Sequence, residues 1–175
     1  MSRPADILRP IALLLLGGAL SLALGPVLAR TSDRSQPMDI EAGGSDCSIT
    51  DSGECVFTGN VRITQGTMVI HAGRAVIHRA NGNIKRVQFT GAPVQMSQEL
   101  DDGSKINARA NNVDYDMATD TVVFTGDALI DQPGRGNIAG GRIAYNMKSG
   151  QVQGTGEGKG RVKMQFVPKG AQGAP

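Results

Sequence analysis

Tryptophan is absent from this 175-residue chain, and all aromatic residues together supply 3% of it. Proteins that bind single-stranded nucleic acid stack bases on aromatic side chains, so the composition does not indicate that class. The net charge of +2 is also too small to indicate a duplex-binding surface. A Cys/His zinc centre would need both Cys and both His of the chain, so the count nearly excludes one. We therefore predict no nucleic-acid partner and no metal.

Motifs that carry catalysis are also lacking. A Gly-x-Ser-x-Gly nucleophile motif does not occur. The glycine-rich run 154–160 lacks the following helix that a phosphate-binding loop needs. His71 and His78 are seven positions apart, so a regular strand would place them on opposite faces. We predict no catalytic residues, no cofactor and no enzymatic activity.

The N-terminus has a basic start, with Arg3 and Arg9, followed by an uncharged apolar run at 10–29. This order, ending in small residues, is typical of a secretory signal. We predict a cleaved signal peptide at 1–29 and a linker at 30–35, with the mature chain outside the cytoplasm. The alternative is an uncleaved membrane anchor, because the uncharged run is just long enough to span a bilayer.

The two cysteines, Cys47 and Cys55, flank a turn signal at 50–53. On a regular hairpin their side chains can share a face, and a compartment outside the cytoplasm permits disulfides. We predict a Cys47–Cys55 disulfide across the turn. Two separate buried thiols are the alternative, and the spacing matches no redox motif.

The tripeptide Phe-Thr-Gly occurs three times, at 57–59, 89–91 and 124–126. Each copy is followed by alternating apolar and polar residues, which is typical of half-buried strands. Repeats of this length indicate stacked units, so we predict three to four antiparallel repeats of about 30 residues and a dozen or more short strands. The Gly suits a bend or bulge at which the sheet folds over, and Pro93 interrupts the second copy.

Five stretches together resemble the LptA/OstA-like family of periplasmic lipopolysaccharide transport proteins. They are Phe57–Thr67, Gln36–Glu41, Ala72–Ile77, Asn112–Tyr115 with Val122–Gly126, and Gly158–Val162. A single Phe-Thr-Gly is a weak signal, whereas this ordered set behind a secretory signal is strong. The resemblance covers residues 36–168, the predicted domain, and leaves 169–175 as a disordered tail.

The resemblance implies an all-β fold, a folded-over antiparallel sheet described as a twisted β-jelly roll or β-taco, with an internal hydrophobic groove. It implies that lipopolysaccharide is bound there through the acyl chains of lipid A. It also implies an LptC-like inner-membrane protein, an LptD-like outer-membrane protein and head-to-tail copies of the chain as partners. A periplasmic carrier and bridge between the two membranes is the predicted function.

Period-2 alternation selects the inward side chains that the resemblance assigns to the lipid groove. They are Phe57, Val61, Ile63, Met68, Ile70, Val94, Met96, Ile106, Tyr115, Phe124, Ala128, Ile130, Ile138, Tyr145 and Met164. A closed sandwich would bury the same side chains in an ordinary core. Alternation alone therefore does not distinguish a lipid groove from a closed core.

Two further sets of residues follow from the same reasoning. The first strand, Met38–Glu41, and the last, Arg161–Phe166, are candidate pairing edges, because the terminal strands of a stack lack a neighbour. Their edge residues are Met38, Ile40, Val162, Met164 and Phe166. Seven cations either meet lipid A phosphates at the groove mouth or form a solvated outer face: Arg74, Arg79, Lys85, Arg86, Arg109, Arg135 and Arg142.

Two other functions remain open from the sequence. If the N-terminal run is kept as an anchor, the chain would be a membrane-anchored, LptC-like component of the same pathway. If the inward side chains only pack on one another, it would be a structural β-repeat protein without a lipid ligand.

Overall fold

A computed structural model describes residues 33–158 and 160–168, which form an all-β, folded-over antiparallel sheet. The elements are a 3₁₀ helix at Asp33–Ser35 and strands β1 Met38–Glu41, β2 Gly44–Cys47, β3 Gly53–Gln65, β4 Met68–Ala80, β5 Asn83–Glu99, β6 Lys105–Asp116, β7 Thr121–Gln132, β8 Gly136–Asn146, β9 Val152–Thr155 and β10 Lys163–Phe166. The prediction of a dozen or more short strands was wrong. The described part has ten strands, and six of them are long because each crosses the line at which the sheet folds.

Strands β3 to β8 form an antiparallel meander in sequence order. At one end, β1 pairs with the second half of β3, with Met38 opposite Gln65, and β2 pairs with the first half of β3. At the other end, β9 and β10 pair with the two halves of β8. Each terminal pair of strands thus divides between two layers, as expected of one sheet doubled over on itself.

The fold line coincides with the Phe-Thr-Gly motif. The β3–β4 register shifts between Thr58 and Val61, and the β7–β8 register shifts between Thr125 and Ala128. At these shifts Gly59 has φ 78° and Gly126 has φ 80°, a left-handed conformation that favours Gly. The predicted bend at the motif glycine is therefore confirmed. In the second copy the β5–β6 register shifts between Thr90 and Val94, around Pro93, also as predicted.

The inward side chains of both layers form one hydrophobic cluster. Phe124 and Ile143 are fully buried, and Val61 lies on the far side of the fold line in the same cluster. Burying a large aliphatic or aromatic side chain contributes about 1.5–3 kcal/mol, so this cluster supplies the main force that holds the layers together. The fold line thus brings apolar residues of one sheet face against each other.

The folded part begins earlier than the predicted boundary at residue 36. Asp33, assigned to the linker, is buried, and its carboxylate accepts hydrogen bonds from Thr67 Oγ1 at 2.5 Å and Gln98 Nε2 at 3.2 Å. The 3₁₀ helix therefore docks on the β3–β4 turn. The predicted signal peptide and the tail at 169–175 lie outside the described residues.

The first hairpin is closed covalently. Cys47 and Cys55 are opposed in the β2–β3 register with a Cα–Cα distance of 4.1 Å, and they form a disulfide. Every residue of β2 is exposed, so burial contributes little to its position. The disulfide and the ladder to β3 hold this edge strand.

We expect Gly126→Ala to lower the free energy of unfolding by about 1 kcal/mol more than Gly82→Ala, measured by urea denaturation. Both glycines have positive φ, but a Cβ on Gly126 would lie 2.9 Å from Asn111 Nδ2 and 3.1 Å from its Cβ. Gly82, in the β4–β5 turn, has open space at the same position. Equal losses for the two variants would contradict a special role for the fold line.

Candidate functional site

The candidate site is a cavity of about 520 Å³ between the two layers, at the β9/β10 end of the sheet. We call it the interlayer cavity. Its lining residues are Leu100, Ile106, Ile130, Gln132, Arg135, Gly136, Asn137, Ile138, Tyr145, Gly150, Val152, Met164, Gln165 and Phe166. Both layers contribute apolar side chains, and the volume is within the range of about 300–1,000 Å³ typical of ligand pockets.

The strand register explains why aliphatic side chains converge there. Ile130 of β7 lies opposite Ile138 of β8, and Ile138 lies opposite Met164 of β10, so three apolar residues of one layer share a row. In the other layer Tyr145 of β8 lies opposite Val152 of β9. Because β9 and β10 are four residues long and end the sheet, this end of the space between the layers is incompletely filled.

Five of the predicted groove residues line the interlayer cavity: Ile106, Ile130, Ile138, Tyr145 and Met164. Nine others are buried in the cluster between the layers, namely Val61, Ile63, Met68, Ile70, Val94, Met96, Tyr115, Phe124 and Ala128. Phe57 is partly buried and packs against that cluster. Most of the predicted groove residues therefore pack on one another, and five of them line the interlayer cavity at one end of the sheet.

Sequence reasoning missed Leu100 and Val152 as lining residues. Leu100 follows Glu99 and precedes two Asp residues, and this charged setting hides its inward position. The available signal was the shared parity of Met96 and Gln98 in β5 with Leu100 directly after it, since all three are buried. Polar Gln98 breaks the apolar pattern because its amide donates to Asp33.

Two hairpin turns form the polar rim of the cavity. Arg135, in the β7–β8 turn, forms an ion pair with Asp102 in the β5–β6 turn. Asp102 Oδ1 accepts hydrogen bonds from the Ser104 hydroxyl at 2.6 Å and the Ser104 amide at 3.0 Å. Gln132 Nε2 donates to Ser104 Oγ at 3.3 Å. The Ser104 hydrogen bonds, and then the charge of Arg135, hold the pKa of Asp102 below its ordinary value.

The outer face of the other layer carries a cross-strand polar network. Glu54 Oε1 lies 3.0 Å from His78 Nδ1, and His78 Nε2 lies 2.9 Å from Gln88 Oε1. Asp114 accepts from Gln88 Nε2 at 3.1 Å and from Arg86 Nε at 2.7 Å. The hydrogen bond from Arg86 is the main cause of the lowered pKa of Asp114. The network links the neighbouring strands β3, β4, β5 and β6. Holding these strands together is a sufficient role for it.

The predicted placement of His71 and His78 on opposite faces was wrong. The β4–β5 register shifts between His71 and Arg74, and this irregularity reverses the alternation within β4. Ile70 and Ala72 are inward on one side of the shift, and Ile77 is inward on the other. Both histidines therefore lie on the outside, one in each layer.

The terminal edges differ in exposure. Met38 and Ile40 of β1 are partly buried against the core cluster, whereas Met164 and Phe166 of β10 are 50% and 77% exposed. The predicted last strand began too early. Val162 precedes β10 and packs against the core cluster instead of presenting a strand edge.

Within residues 33–158 and 160–168, no group of three or more His, Cys, Asp or Glu side chains is placed to hold a metal. The same residues include no helix with the length and hydropathy needed to cross a membrane. The seven cations are dispersed. Arg74, Arg86 and Arg142 line a depression on one outer face, Arg109 lines depressions on the other, and Arg135 lines the interlayer cavity.

The antiparallel sheet is doubled over, its apolar face is turned inward, and a cavity lies between the layers at one end. This architecture defines a class of proteins suited to enclosing hydrocarbon. A family model described as "LptA/(LptD N-terminal domain) LPS transport protein" matches residues 39–151. The chain belongs to this family, as its sequence resemblance predicted.

Curated relatives match nearly the whole chain. "Lipopolysaccharide export system protein LptA" of Haemophilus influenzae is 34% identical, covering 87% of this chain and 90% of the relative. The protein of the same name from Escherichia coli K12 is 35% identical, covering 91% and 86%. A crystal structure of Pseudomonas aeruginosa LptH, titled the LptA homologous periplasmic component of a lipopolysaccharide transport device, has a TM-score of 0.70 at 23% identity. It covers 78% of this chain and 99% of its own, and it supports the fold.

We expect Asp114→Asn to destabilise the protein at pH 7 by up to about 1 kcal/mol, and this loss to become smaller as the pH is lowered below 3.8. The folded-state pKa of Asp114 is depressed below the reference value of 3.8, so its contribution exists above that value and is lost as the pH falls through the folded pKa. Urea denaturation at several pH values measures the difference. Asp101→Asn, at an exposed turn position, is the control, and a pH-independent loss at Asp114 would contradict this account.

Proposed function

We propose that this chain is a periplasmic carrier of lipopolysaccharide that shields the acyl chains of lipid A between the inner and outer membranes. The observation that carries the proposal is the interlayer cavity, an open space lined by inward aliphatic side chains of both layers. Carrying a lipid requires no covalent step, so the proposal is of a binding protein and not an enzyme.

The physical requirement is shielding. Each exposed CH₂ of an acyl chain costs about 0.8 kcal/mol in water, so a multiply acylated lipid cannot diffuse freely across an aqueous compartment. Aliphatic walls remove this cost without directional bonds, so a bound chain can shift along them at little expense. Ile106, Ile130 and Ile138 provide such a wall, and flexible Met164 suits chains of variable shape.

The names of the relatives support this function. The H. influenzae and E. coli proteins are named components of a lipopolysaccharide export system, and the matching family model is described as a transport protein. These relatives carry the name LptA, which favours the carrier over the membrane-anchored, LptC-like alternative. The N-terminal segment on which that alternative depends lies outside the described residues.

We further propose that the chain acts as a bridge, through its two unlike ends. Among the described strands, β1 pairs with β3 alone and β10 pairs with β8 alone, so each presents one unpaired side. Pairing β10 of one copy with β1 of the next would continue the apolar trough head to tail. The same edges suit an LptC-like partner at one membrane and an LptD-like partner at the other.

One observation favours a second candidate, a structural β-repeat protein without a lipid ligand. Most of the inward side chains are already buried by their own neighbours, as in an ordinary closed core. Under this alternative the interlayer cavity is an unfilled end of the sheet. The two candidates differ in whether hydrocarbon ever contacts the inward positions.

Photo-crosslinking distinguishes them. We expect p-benzoylphenylalanine at Ile138 or Val152 to form lipopolysaccharide adducts in living cells, detected as a mobility shift that reacts with an antibody to the lipid. The same group at Gln153, the exposed outward neighbour of Val152, should form none. Absence of an adduct at every inward position would favour the structural candidate.

A second experiment addresses bridging. We expect Met164→Ser with Phe166→Ser to weaken self-association at least tenfold in sedimentation velocity, because these exposed apolar side chains lie on the unpaired β10 edge. Ile49→Ser is the matched control, since Ile49 is 97% exposed but lies in the β2–β3 turn. An equal effect of both changes, or of neither, would contradict edge pairing.

A further inference from the structure

The interlayer cavity differs in acidic content from three other depressions of the described surface. The two on the outer face of one layer carry both signs of charge: Arg109 with Asp131 in one, and Arg109, Arg161 and Lys163 with Asp127 and Glu157 in the other. The depression on the opposite outer face also combines both signs, Asp114 and Asp116 with Arg74, Arg86 and Arg142. The residues described as lining the interlayer cavity include no carboxylate, and its polar members are neutral or positive. This lining favours an anionic group beside hydrocarbon.

Arg135 is the one of the seven cations that lines this cavity. Two of the others, Arg79 and Arg86, have partners elsewhere that explain them. Arg79 donates to the Ser48 and Thr50 carbonyls of the β2–β3 turn, and Arg86 pairs with Asp114 on the outer face. The structure therefore distinguishes Arg135 from the other six cations, which the sequence did not do.

The backbone of Arg135 is held on both sides. Its amide donates to the Gln132 carbonyl at 2.9 Å, and its carbonyl accepts from the Val167 amide at 2.8 Å. Its side chain is 43% exposed, and its guanidinium contacts one carboxylate in the described part of the chain, Asp102. A guanidinium has five N–H donors in a planar fork, so it retains donors for a second anion.

Asp102 acts as a local counter-ion for this guanidinium. Ser104 fixes Asp102 Oδ1 through two hydrogen bonds, so the carboxylate that meets Arg135 is ionised and positioned before any ligand arrives. An incoming phosphate carries up to two charges and can accept a bidentate pair of hydrogen bonds from arginine. It can therefore compete with a carboxylate for the same donors.

We propose that Arg135 binds the phosphate of a phosphorylated amphiphile whose acyl chain occupies the interlayer cavity, with Asp102 as the counter-ion that the phosphate displaces. The inference rests on the proposed lipid-carrier function and adds to it a headgroup-recognising residue. It predicts that the protein discriminates between anionic and neutral amphiphiles that have the same tail.

The test measures binding of three probes to the purified protein by calorimetry: dodecyl phosphate, dodecyl maltoside and inorganic phosphate. We expect Arg135→Gln to weaken dodecyl phosphate binding about tenfold and to leave dodecyl maltoside binding unchanged. We expect Asp102→Asn, which retains an acceptor for Ser104, to strengthen dodecyl phosphate binding severalfold. Inorganic phosphate should bind far more weakly, because it lacks the tail.

Arg86→Gln is the matched control, because it removes an arginine of an Arg–Asp pair away from the cavity. Loss of dodecyl phosphate binding in Arg86→Gln as large as in Arg135→Gln would overturn the proposal, as would equal loss of both amphiphiles in Arg135→Gln. Inorganic phosphate bound as tightly as dodecyl phosphate would reveal a free-phosphate site and overturn it too. If neither amphiphile binds the unaltered protein, the carrier function itself fails. If both bind with no preference, the headgroup inference alone fails.

Discussion

The left-handed glycine at the fold line is the constraint on which the rest of this structure depends. A flat meander of six long strands would leave one apolar face in water. Gly59 and Gly126 adopt φ values near 80°, and the registers shift beside them, so the sheet doubles back. Apolar side chains from the two halves then meet each other, and hydrophobic burial follows from a backbone conformation that few other residues adopt.

The same doubling creates the candidate site and limits its size. Where strands cross the fold line in full, inward residues such as Phe124 and Val61 meet and exclude solvent. Where the sheet ends, β9 and β10 are too short to complete both walls, and the interlayer cavity remains. A carrier of amphiphiles needs both features: a cohesive core for stability and an apolar wall that its own side chains leave accessible.

The fold was predictable because its signals are local. Repetition of Phe-Thr-Gly placed the bends, and period-2 alternation placed Val61, Ile130 and Ile138 on the inner face. Strand number and the faces of His71 and His78 were mispredicted for one reason: register shifts let a strand continue past a bend while reversing its alternation. The alternation of apolar and polar residues does not show how many residues each register shift takes up.

The cavity was less predictable than the inner face that lines it. Alternation identifies inward residues but cannot say which of them lack a partner across the layers, since that depends on where the terminal strands end. Leu100 has acidic neighbours in the sequence, which obscure its inward position. Arg135 could not be distinguished in the sequence from the other six cations, and only the arrangement of the hairpin turns places it at the rim of the cavity. Long-range placement of turns, not residue type, distinguishes these positions.

The central claim is that hydrocarbon enters the space between the layers. Methyl-selective NMR of the purified protein, titrated with lipid A in detergent, measures this directly, with detergent alone as the reference. The account predicts intermolecular nuclear Overhauser effects between acyl protons and the methyl groups of Ile130 and Ile138, and none to exposed Ile49. Lipid contacts confined to outward methyl groups, with the Ile130 and Ile138 signals unchanged, would contradict it.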